Sequence, residues 1–248
     1  MPVNQSGAPD VDGRWRRWLG QLWPGRCLVC AESSPGGRDL CESCFVALPW
    51  NRHACACCAI PLPAATGATT AAAAQHCGEC LRKPPPVQAT CAAFVYAAPL
   101  DRLLPRFKFH HDLAAGRLLA QLMAQSCAGV ERPRALLPVP LHRARLRSRG
   151  YDQALELARP LARALDIPLL TDALVRTRAT APQSELDAAR RSRNLRGAFA
   201  TVAGRRLPSH VALVDDVMTT GATLHASARA LHRAGVARVD AWVCARVP

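Results

Sequence analysis

Two adjacent carboxylates, Asp215 and Asp216, end the apolar run Val211–Val214 and precede the polar turn Thr219–Thr223. A helix that starts after such a turn presents unpaired N–H groups and the positive end of its dipole, which attract an anion. Within the turn, Gly221 lets the backbone approach a ligand closely, and the threonines add hydroxyl donors. The carboxylates would repel a phosphate but can accept hydrogen bonds from two neighbouring sugar hydroxyls. The pattern therefore favours a sugar phosphate, against the alternative of solvated acids beside a threonine-rich turn.

A strand, a loop, a helix and a second strand are predicted around these residues. The apolar run before the acid pair indicates a buried strand, and apolar residues at helical spacing follow the turn at Leu224, Ala228 and Leu231. Gly235 is a natural helix end, and Val236–Val243 again indicates a strand. The ligand-binding groups are thus expected where a strand leads into a helix.

A basic cluster follows another predicted strand, Ala135–Val139, and lies between Pro140 and Gly150. Ligands of open α/β sheets bind at the carboxyl ends of strands, and arginine supplies the several donors that a pyrophosphate needs. We interpret the cluster as a pyrophosphate-binding segment, with a solvated basic loop as the alternative. Its basic residues are His142, Arg143, Arg145, Arg147 and Arg149.

A polar stretch, Arg176–Arg196, follows a short predicted strand, Ala173–Arg176. Long polar excursions between strands often cover active sites, and Arg190 or Arg193 would close over the site. A plain exposed helix fits the same residues equally well.

Eight of the twelve cysteines form four Cys-x2-Cys pairs. Each pair places two thiolates on one turn, and two pairs complete the tetrahedral sulfur site that suits zinc. We predict two structural sites in sequence order, because four protein ligands leave no open position for a substrate. An interleaved pairing, such as Cys27/Cys30 with Cys55/Cys58, stays open. The predicted ligands are Cys27, Cys30, Cys41, Cys44, Cys55, Cys58, Cys77 and Cys80.

Three segments are predicted along the chain. Residues 1–26 comprise a polar tail and an amphipathic helix that places tryptophans and leucines on one face. We expect this helix to pack against the rest of the protein. The alternative is peripheral contact with a membrane surface. Residues 27–83 form the double zinc ribbon, Pro84–Pro86 a stiff linker, and residues 87–248 the larger domain.

The remaining predicted elements are a strand, Thr90–Ala97, and helices over 100–109, about 113–128 and about 153–165. Pro105 must interrupt or bend the first helix, and Pro160 should kink the third. The basic and aromatic stretch Phe107–His111 is assigned a surface or substrate-facing role.

Composition limits the partners and the compartment. The formal net charge is +14, and 30 of the 32 basic residues are arginine. This charge favours anionic partners, including nucleic acid and acidic lipid, without choosing between them. No apolar run reaches about 18 residues, so no membrane-spanning helix is expected. Twelve cysteines without a secretion signal predict a reducing cytoplasm.

The run Val211–Thr223 closely resembles the signature of type I phosphoribosyltransferases, which bind phosphoribosyl pyrophosphate (PRPP). From Cys27 to Arg246, the chain resembles the ComF family, in which a zinc ribbon precedes a phosphoribosyltransferase-like domain. Besides the cysteine pairs, the resemblance rests on Phe107-Lys108-Phe109, Pro138–His142, Arg149–Gln153 and the series Gln183, Arg190, Asn194 and Gly197–Phe199. It implies an α/β fold, with helices on both faces of a parallel sheet, plus a small N-terminal zinc-ribbon domain.

The resemblance also implies roles for single residues. The two acids would hold the ribose hydroxyls, the threonine loop the 5-phosphate, and the arginines with Mg²⁺ would offset the pyrophosphate charge. Catalytic roles fall to Asp215, Asp216 and Arg149. The implied PRPP-binding residues are Asp215, Asp216, Val217, Met218, Thr219, Thr220, Gly221, Ala222, Thr223, Pro140, Leu141, Arg143, Arg145 and Arg190.

Three functions follow, in decreasing order of support. The first is a PRPP-binding protein that supports DNA uptake in natural transformation, beside single-stranded DNA and a competence helicase, with or without phosphoribosyl transfer. The second is a nucleobase-salvage phosphoribosyltransferase. The third is a zinc-ribbon DNA-binding module with a vestigial PRPP site, which the aromatic content of 5% disfavours because few rings are available to stack on bases.

Overall fold

The computed structural model describes residues 25–34, 39–63, 75–178, 195 and 197–248, with the exception of the side chains of Ser148 and Arg149. The predicted amphipathic helix, residues 64–74, which are rich in alanine, and most of the polar stretch before Arg196 lie outside these residues. The chain divides into two compact units, residues 1–48 and 49–248. The predicted three-segment division of the chain stays a prediction.

The smaller unit contains a two-stranded antiparallel hairpin and one short helix. Strand β1, Gly25–Arg26, pairs with β2, Ser33–Ser34, and helix α1 spans Glu42–Val46. The first Cys-x2-Cys pair lies in the turn between the strands, and the second pair lies at the start of α1. These short elements therefore place both pairs of thiols.

The larger unit is built on a four-stranded parallel sheet in the order β3-β8-β7-β4. Its strands are β3, Thr90–Val95; β4, Leu136–Pro138; β7, His210–Met218; and β8, Arg238–Arg246. The central strands β7 and β8 are almost continuously apolar and buried, as expected for a parallel sheet covered on both faces. A separate antiparallel pair joins β5, Leu174–Arg176, to β6, Phe199–Thr201.

Helices cover both faces of this sheet. The helices of the larger unit are α2, Gly78–Arg82; α3, Leu100–Phe109; α4, Leu113–Cys127; α5, Arg143–Arg149; α6, Gln153–Leu165; and α7, Ala222–Arg233. Leu224 and Ala228 of α7 share one core cluster with Val211 and Leu213 of β7. Helices α4 and α6 pack against each other, α4 against β3 and β8, and α6 against β4 and β7. The predicted α/β class is confirmed.

Two local expectations differ from the structure. Helix α3 continues through Pro105, so this proline does not interrupt the helix, while the alternative of a bend stays a prediction; Leu104 and Phe107 beside it are buried. The predicted basic segment is not a loop throughout, since seven of its residues form helix α5. His142 caps that helix by accepting a hydrogen bond from Ala144 N at 3.2 Å, and Gly150 ends it in the left-handed conformation.

The outer edge of β3 is covered by the chain that follows Pro49. Trp50 forms an antiparallel bridge with Phe94, and their ring centroids lie 4.7 Å apart. Asn51 N donates to Ala93 O at 3.0 Å, and Val95 N donates to Pro49 O at 2.8 Å. These bonds satisfy backbone groups that an exposed edge strand would leave unpaired. None of the helices in the described residues is long and apolar enough to cross a membrane.

Candidate functional site

Parallel pairing brings the two predicted ligand-binding segments to one edge of the sheet. Pro138 at the end of β4 is in register with Val214 of β7, and Val139 N donates to Val214 O at 2.9 Å. Pro140 therefore leaves the sheet beside Asp215, at the carboxyl ends of adjacent strands where ligands of open α/β sheets bind.

The two acids lie within β7, which continues to Met218. Asp215 Oδ1 accepts a hydrogen bond from Asp216 N at 2.9 Å, and Asp216 Oδ1 accepts one from Val217 N at 2.6 Å. Successive residues of a strand point to opposite faces of the sheet, so the two carboxyls lie in different environments. Each keeps a narrow accessible surface, and each retains one oxygen beyond its backbone bond.

Asp215 differs from an ordinary carboxylate in its affinity for a proton. Burial, followed by the negative charge of Asp216, raises the pKa of the Asp215 carboxyl to about 8. Near neutral pH this carboxyl is mostly protonated, so it can donate a hydrogen bond as well as accept one. A neutral acid beside a charged one suits a pair of hydroxyl groups better than it suits a phosphate.

Lys108 is the ion-pair partner of Asp216. Its Nζ lies 3.0 Å from Asp216 Oδ2, and the two side chains are only 21% and 13% exposed. Lys108 lies in the last turn of α3. The neighbouring Phe107 packs this turn against Tyr151, and the centroids of the two rings are 5.8 Å apart. The pair neutralises one carboxylate of the site before any ligand binds.

Asp152 ties the segment after β4 to helix α6. Its Oδ1 accepts a hydrogen bond from Leu155 N at 3.2 Å and so caps the helix, while its Oδ2 accepts one from Leu141 N at 3.1 Å. Burial raises the pKa of the Asp152 carboxyl against these bonds, and the charge of Asp216 adds to the rise. Three carboxyls thus share this edge of the sheet with Lys108.

The turn after β7 has the form of an anion cradle. Thr219 and Thr220 are exposed, and Gly221 adopts a φ of +71° and has no side chain to cap α7. A Cβ at Gly221 would lie 2.6 Å from Met218 Cε and 3.0 Å from His225 Nε2, so a larger residue would have to displace the Met218 side chain and also adopt a positive φ, which favours glycine. The start of α7 points the positive end of its helix dipole towards this turn, which favours an anion there.

His225 packs beneath this turn as a neutral ring. Burial, followed by the positive charges of Arg229 and Arg246, lowers the pKa of its imidazole to about 4. Its Nε2 is buried and makes no hydrogen bond within the described residues. His225 therefore supports the turn by packing and adds no positive charge at neutral pH.

The arginines of the basic cluster occupy different surroundings. Arg143 is exposed on α5, whereas Arg145 is half-buried. Burial and then the charge of Arg145 lower the pKa of Arg176, while the charge of Asp215 opposes that shift. Arg145, Arg176 and Asp215 therefore lie within electrostatic range of one another. The side chain of Arg149, and all of Arg190, lie outside the described residues, so their roles stay predictions.

Sequence reasoning did not select three of these residues as members of the site. Lys108 is one of only two lysines in the chain and lies in a noted basic and aromatic stretch. Asp152 stands at the capping position before a predicted helix, and Arg176 ends a predicted strand. Each carried a local signal, but none showed that it faced the acid pair.

The cysteines form two tetrads in sequence order. Cys27, Cys30, Cys41 and Cys44 form one, and Cys55, Cys58, Cys77 and Cys80 form the other, with all sulfurs of a tetrad within 4.8 Å of one another. The Sγ atoms of Cys30 and Cys41, and those of Cys58 and Cys77, are 3.7 Å apart. Tetrahedral zinc with Zn–S bonds of about 2.3 Å requires sulfurs about 3.8 Å apart, so both tetrads fit structural zinc.

Backbone amides prepare the first thiol of each tetrad for a metal. Burial opposes ionisation of Cys55, but hydrogen bonds from backbone N–H groups, Cys77 N first among them, lower the pKa of this thiol to about 6. The pKa of Cys27 falls to about 6 for the same reason, through Cys30 N. Cys57 lies outside the second tetrad, with its Sγ 3.3 Å from His76 Nδ1.

A parallel sheet covered on both faces, an acid pair that leads into a glycine turn and two zinc-type tetrads together define a phosphoribosyltransferase-like protein with a double zinc ribbon. Comparison with protein families agrees. The double zinc ribbon domain matches residues 18–81, and the phosphoribosyl transferase domain matches residues 152–248.

Curated relatives extend the similarity across most of the chain. Competence protein F of Haemophilus influenzae is 39% identical over 181 residues, which cover 70% of this chain and 79% of the relative. The DNA utilization protein YhgH of Escherichia coli K12 is 35% identical over 231 residues, covering 90% of each chain, and that of Salmonella typhimurium is 36% identical over the same length. The chain belongs to the family of competence protein F and YhgH, the ComF family.

Proposed function

We propose that this chain binds PRPP together with Mg²⁺ at the edge formed by β4 and β7. The observation that carries the proposal is the direct succession of Asp215 and Asp216, the exposed Thr219 and Thr220, and Gly221 at the start of α7. PRPP carries ribose hydroxyls and a 5-phosphate at different positions. A site for it therefore needs one surface for the hydroxyls and a second one, close by, for the phosphate. The acid pair supplies the first surface and the turn supplies the second.

Specific residues are assigned to the parts of PRPP. Asp215 and Asp216 would hold the ribose hydroxyls, and the backbone and hydroxyls of Thr219, Thr220 and Thr223 would hold the 5-phosphate. Arg143 and Arg145 lie on the side of β4, where they would offset the pyrophosphate charge. Mg²⁺ would supply further screening of that charge when bound. Arg149 and Arg190 complete the assignment as predictions.

We assign the protein to DNA uptake in the cytoplasm, beside single-stranded DNA and a competence helicase. The names of its relatives support this role, and the net charge of +14 suits a nucleic-acid partner. Any transferase reaction would break the bond between the anomeric carbon and pyrophosphate, and form one to an acceptor. Pyrophosphate release with one nucleobase from a panel would instead select the salvage function.

Isothermal titration with PRPP and Mg²⁺ tests the proposal. The Asp215→Asn/Asp216→Asn double variant should lose at least about tenfold in affinity, the loss expected when two hydrogen bonds to carboxyl groups weaken. Asp101→Asn/Asp172→Asn, which changes two exposed acids away from the edge, is the matched control and should bind normally. Equal affinities in both double variants reject the proposed site.

A transformation assay on the same variants tests the biological role. Loss of transformation in the Asp215/Asp216 variant, with normal transformation in the control, would link PRPP binding to DNA uptake. Salt-sensitive binding of single strands by a protein that ignores PRPP would instead favour the zinc-ribbon DNA-binding module.

A further inference from the structure

We infer that Arg246 is a positioning residue that couples the second zinc tetrad to the phosphate-binding turn. Arg246 Nε donates a hydrogen bond to Cys58 O at 2.9 Å, and Cys58 is a ligand of that tetrad. Its Nη1 donates to Met218 O at 3.3 Å, at the last residue of β7 before the turn. One guanidinium thus joins the zinc knuckle to the backbone that leads into Thr219.

The backbone of Arg246 is itself fixed. It is the last residue of β8, in register with Met218 on one side and Val95 on the other. Its carbonyl accepts from Tyr96 N at 2.8 Å, and its Nη1 also donates to Val247 O. Because these bonds hold the Arg246 backbone in place, a shift of the Cys58 carbonyl should act through the guanidinium group on the Met218 carbonyl.

The turn that carries this carbonyl lies between two of the tetrad's cysteines, Cys55 and Cys58. Between Cys55 and Cys58 the chain makes a tight turn, and Ala59, at a φ of +53°, returns its N–H to Cys55 O at 2.8 Å. Asn51 Nδ2 holds Ala59 O at 2.9 Å, and Thr90 Oγ1 donates to Cys57 O at 2.6 Å. Zinc held by four thiolates would fix the turn, whereas loss of zinc frees four neighbouring thiols and lets the Cys58 carbonyl move.

On the other side, Met218 lies directly beneath Gly221. The terminal methyl of Met218 lies close to the Cα of Gly221, 2.6 Å from where a Gly221 Cβ would stand, and Met218 O accepts from Val247 N at 2.9 Å as well as from Arg246. A shift of the Met218 peptide therefore displaces the turn that would hold the 5-phosphate. By linkage, a ligand at the turn should in return stabilise zinc in the second tetrad.

This inference rests on the proposed function for one readout only, PRPP affinity. The other readout, amide hydrogen exchange of the peptide that contains Met218–Gly221, requires no ligand. Arg246→Ala should speed this exchange about tenfold and weaken PRPP binding about tenfold, as expected from loss of one hydrogen bond from a charged donor. Arg246→Lys keeps the charge but loses the fork, so it should behave like the alanine variant. Arg233→Ala, an exposed arginine of α7, is the charge-matched control.

A double-mutant cycle with Cys77→Ser tests the coupling to zinc. In the Arg233→Ala background, Cys77→Ser should lower bound zinc from about two to about one per chain and speed exchange at the turn. In the Arg246→Ala background, the same loss of zinc should add less than about twofold to the exchange rate. Full additivity, or a turn that exchanges normally in Arg246→Ala, overturns the inference. A turn that responds as expected in a protein that never binds PRPP rejects the proposed function and leaves the coupling intact.

Discussion

Removal of Lys108 should reveal how strongly the acid pair depends on its cation. The Lys108–Asp216 distance of 3.0 Å and the low exposure of both side chains make this a mostly buried, charge-assisted pair. Removing one partner of such a pair costs about 3–5 kcal/mol when burial is complete, and we expect about 2–4 kcal/mol for Lys108→Met. The loss arises because the Asp216 carboxylate would be left in a mostly buried position without its cationic partner.

The assay is a double-mutant cycle of Lys108→Met with Asp216→Asn, measured by urea unfolding of the zinc-loaded protein at pH 8. The Asn side chain keeps the acceptor for Val217 N, so the cycle isolates the ion pair. We expect a coupling energy of about 1.5–3 kcal/mol.

A surface pair in the same unit provides the control for this cycle. Arg159 and Glu156 lie 3.2 Å apart on α6, with side chains 51% and 31% exposed, and should couple by about 0.3–0.5 kcal/mol. If the Lys108–Asp216 coupling is no larger than that of the surface pair, the argument that burial strengthens the pair is refuted.

Three further outcomes are expected. Because the pKa of Asp215 is raised in the folded state, the folded protein holds a proton that the unfolded chain releases, so this carboxyl destabilises the fold as pH rises from about 4 towards 8. Asp215→Asn should remove up to about 1.4 kcal/mol per pH unit of that decline in urea unfolding, and identical slopes for variant and wild type would exclude the protonated acid. Gly221→Ala should destabilise by at least about 1 kcal/mol more than Gly235→Ala, because both glycines have positive φ but only Gly221 would bring a Cβ against Met218; equal unfolding free energies would contradict the close contact. Cys58→Ser should lower zinc from about two ions per chain to about one by elemental analysis, whereas Cys57→Ser should leave it unchanged, and a loss in Cys57→Ser would show that the tetrad is misassigned.

The chemistry of the acid pair and its turn was predictable because it is local. Within the thirteen residues from Val211 to Thr223, the strand, the acids, the glycine and the helix start are contiguous, so spacing alone orders them. The fold class followed from the same unit, since a strand that leads through a turn into a helix and a second strand builds a parallel sheet.

Long-range contacts could not be predicted in the same way. Lys108 is separated from Asp216 by most of the larger unit, and only the packing of α3 brings them together. Helix α5 begins at the His142 cap. The many arginines of this segment suggested a basic loop and hid that helix start. The zinc pairing was open because the Cys-x2-Cys spacing is the same in all four pairs, and the two compact units decide it.

The cover over the outer edge of β3 has a practical consequence for dissecting this protein. The prolines at 84–86 are an obvious place to truncate the chain. A shortened chain that begins there would lose the Trp50 bridge and the backbone hydrogen bonds of Pro49 and Asn51 with β3. Its first strand, rich in alanine, phenylalanine and valine, would then offer an open template to a second molecule. Self-association of such a fragment would report the missing cover and would say nothing about how the intact protein assembles.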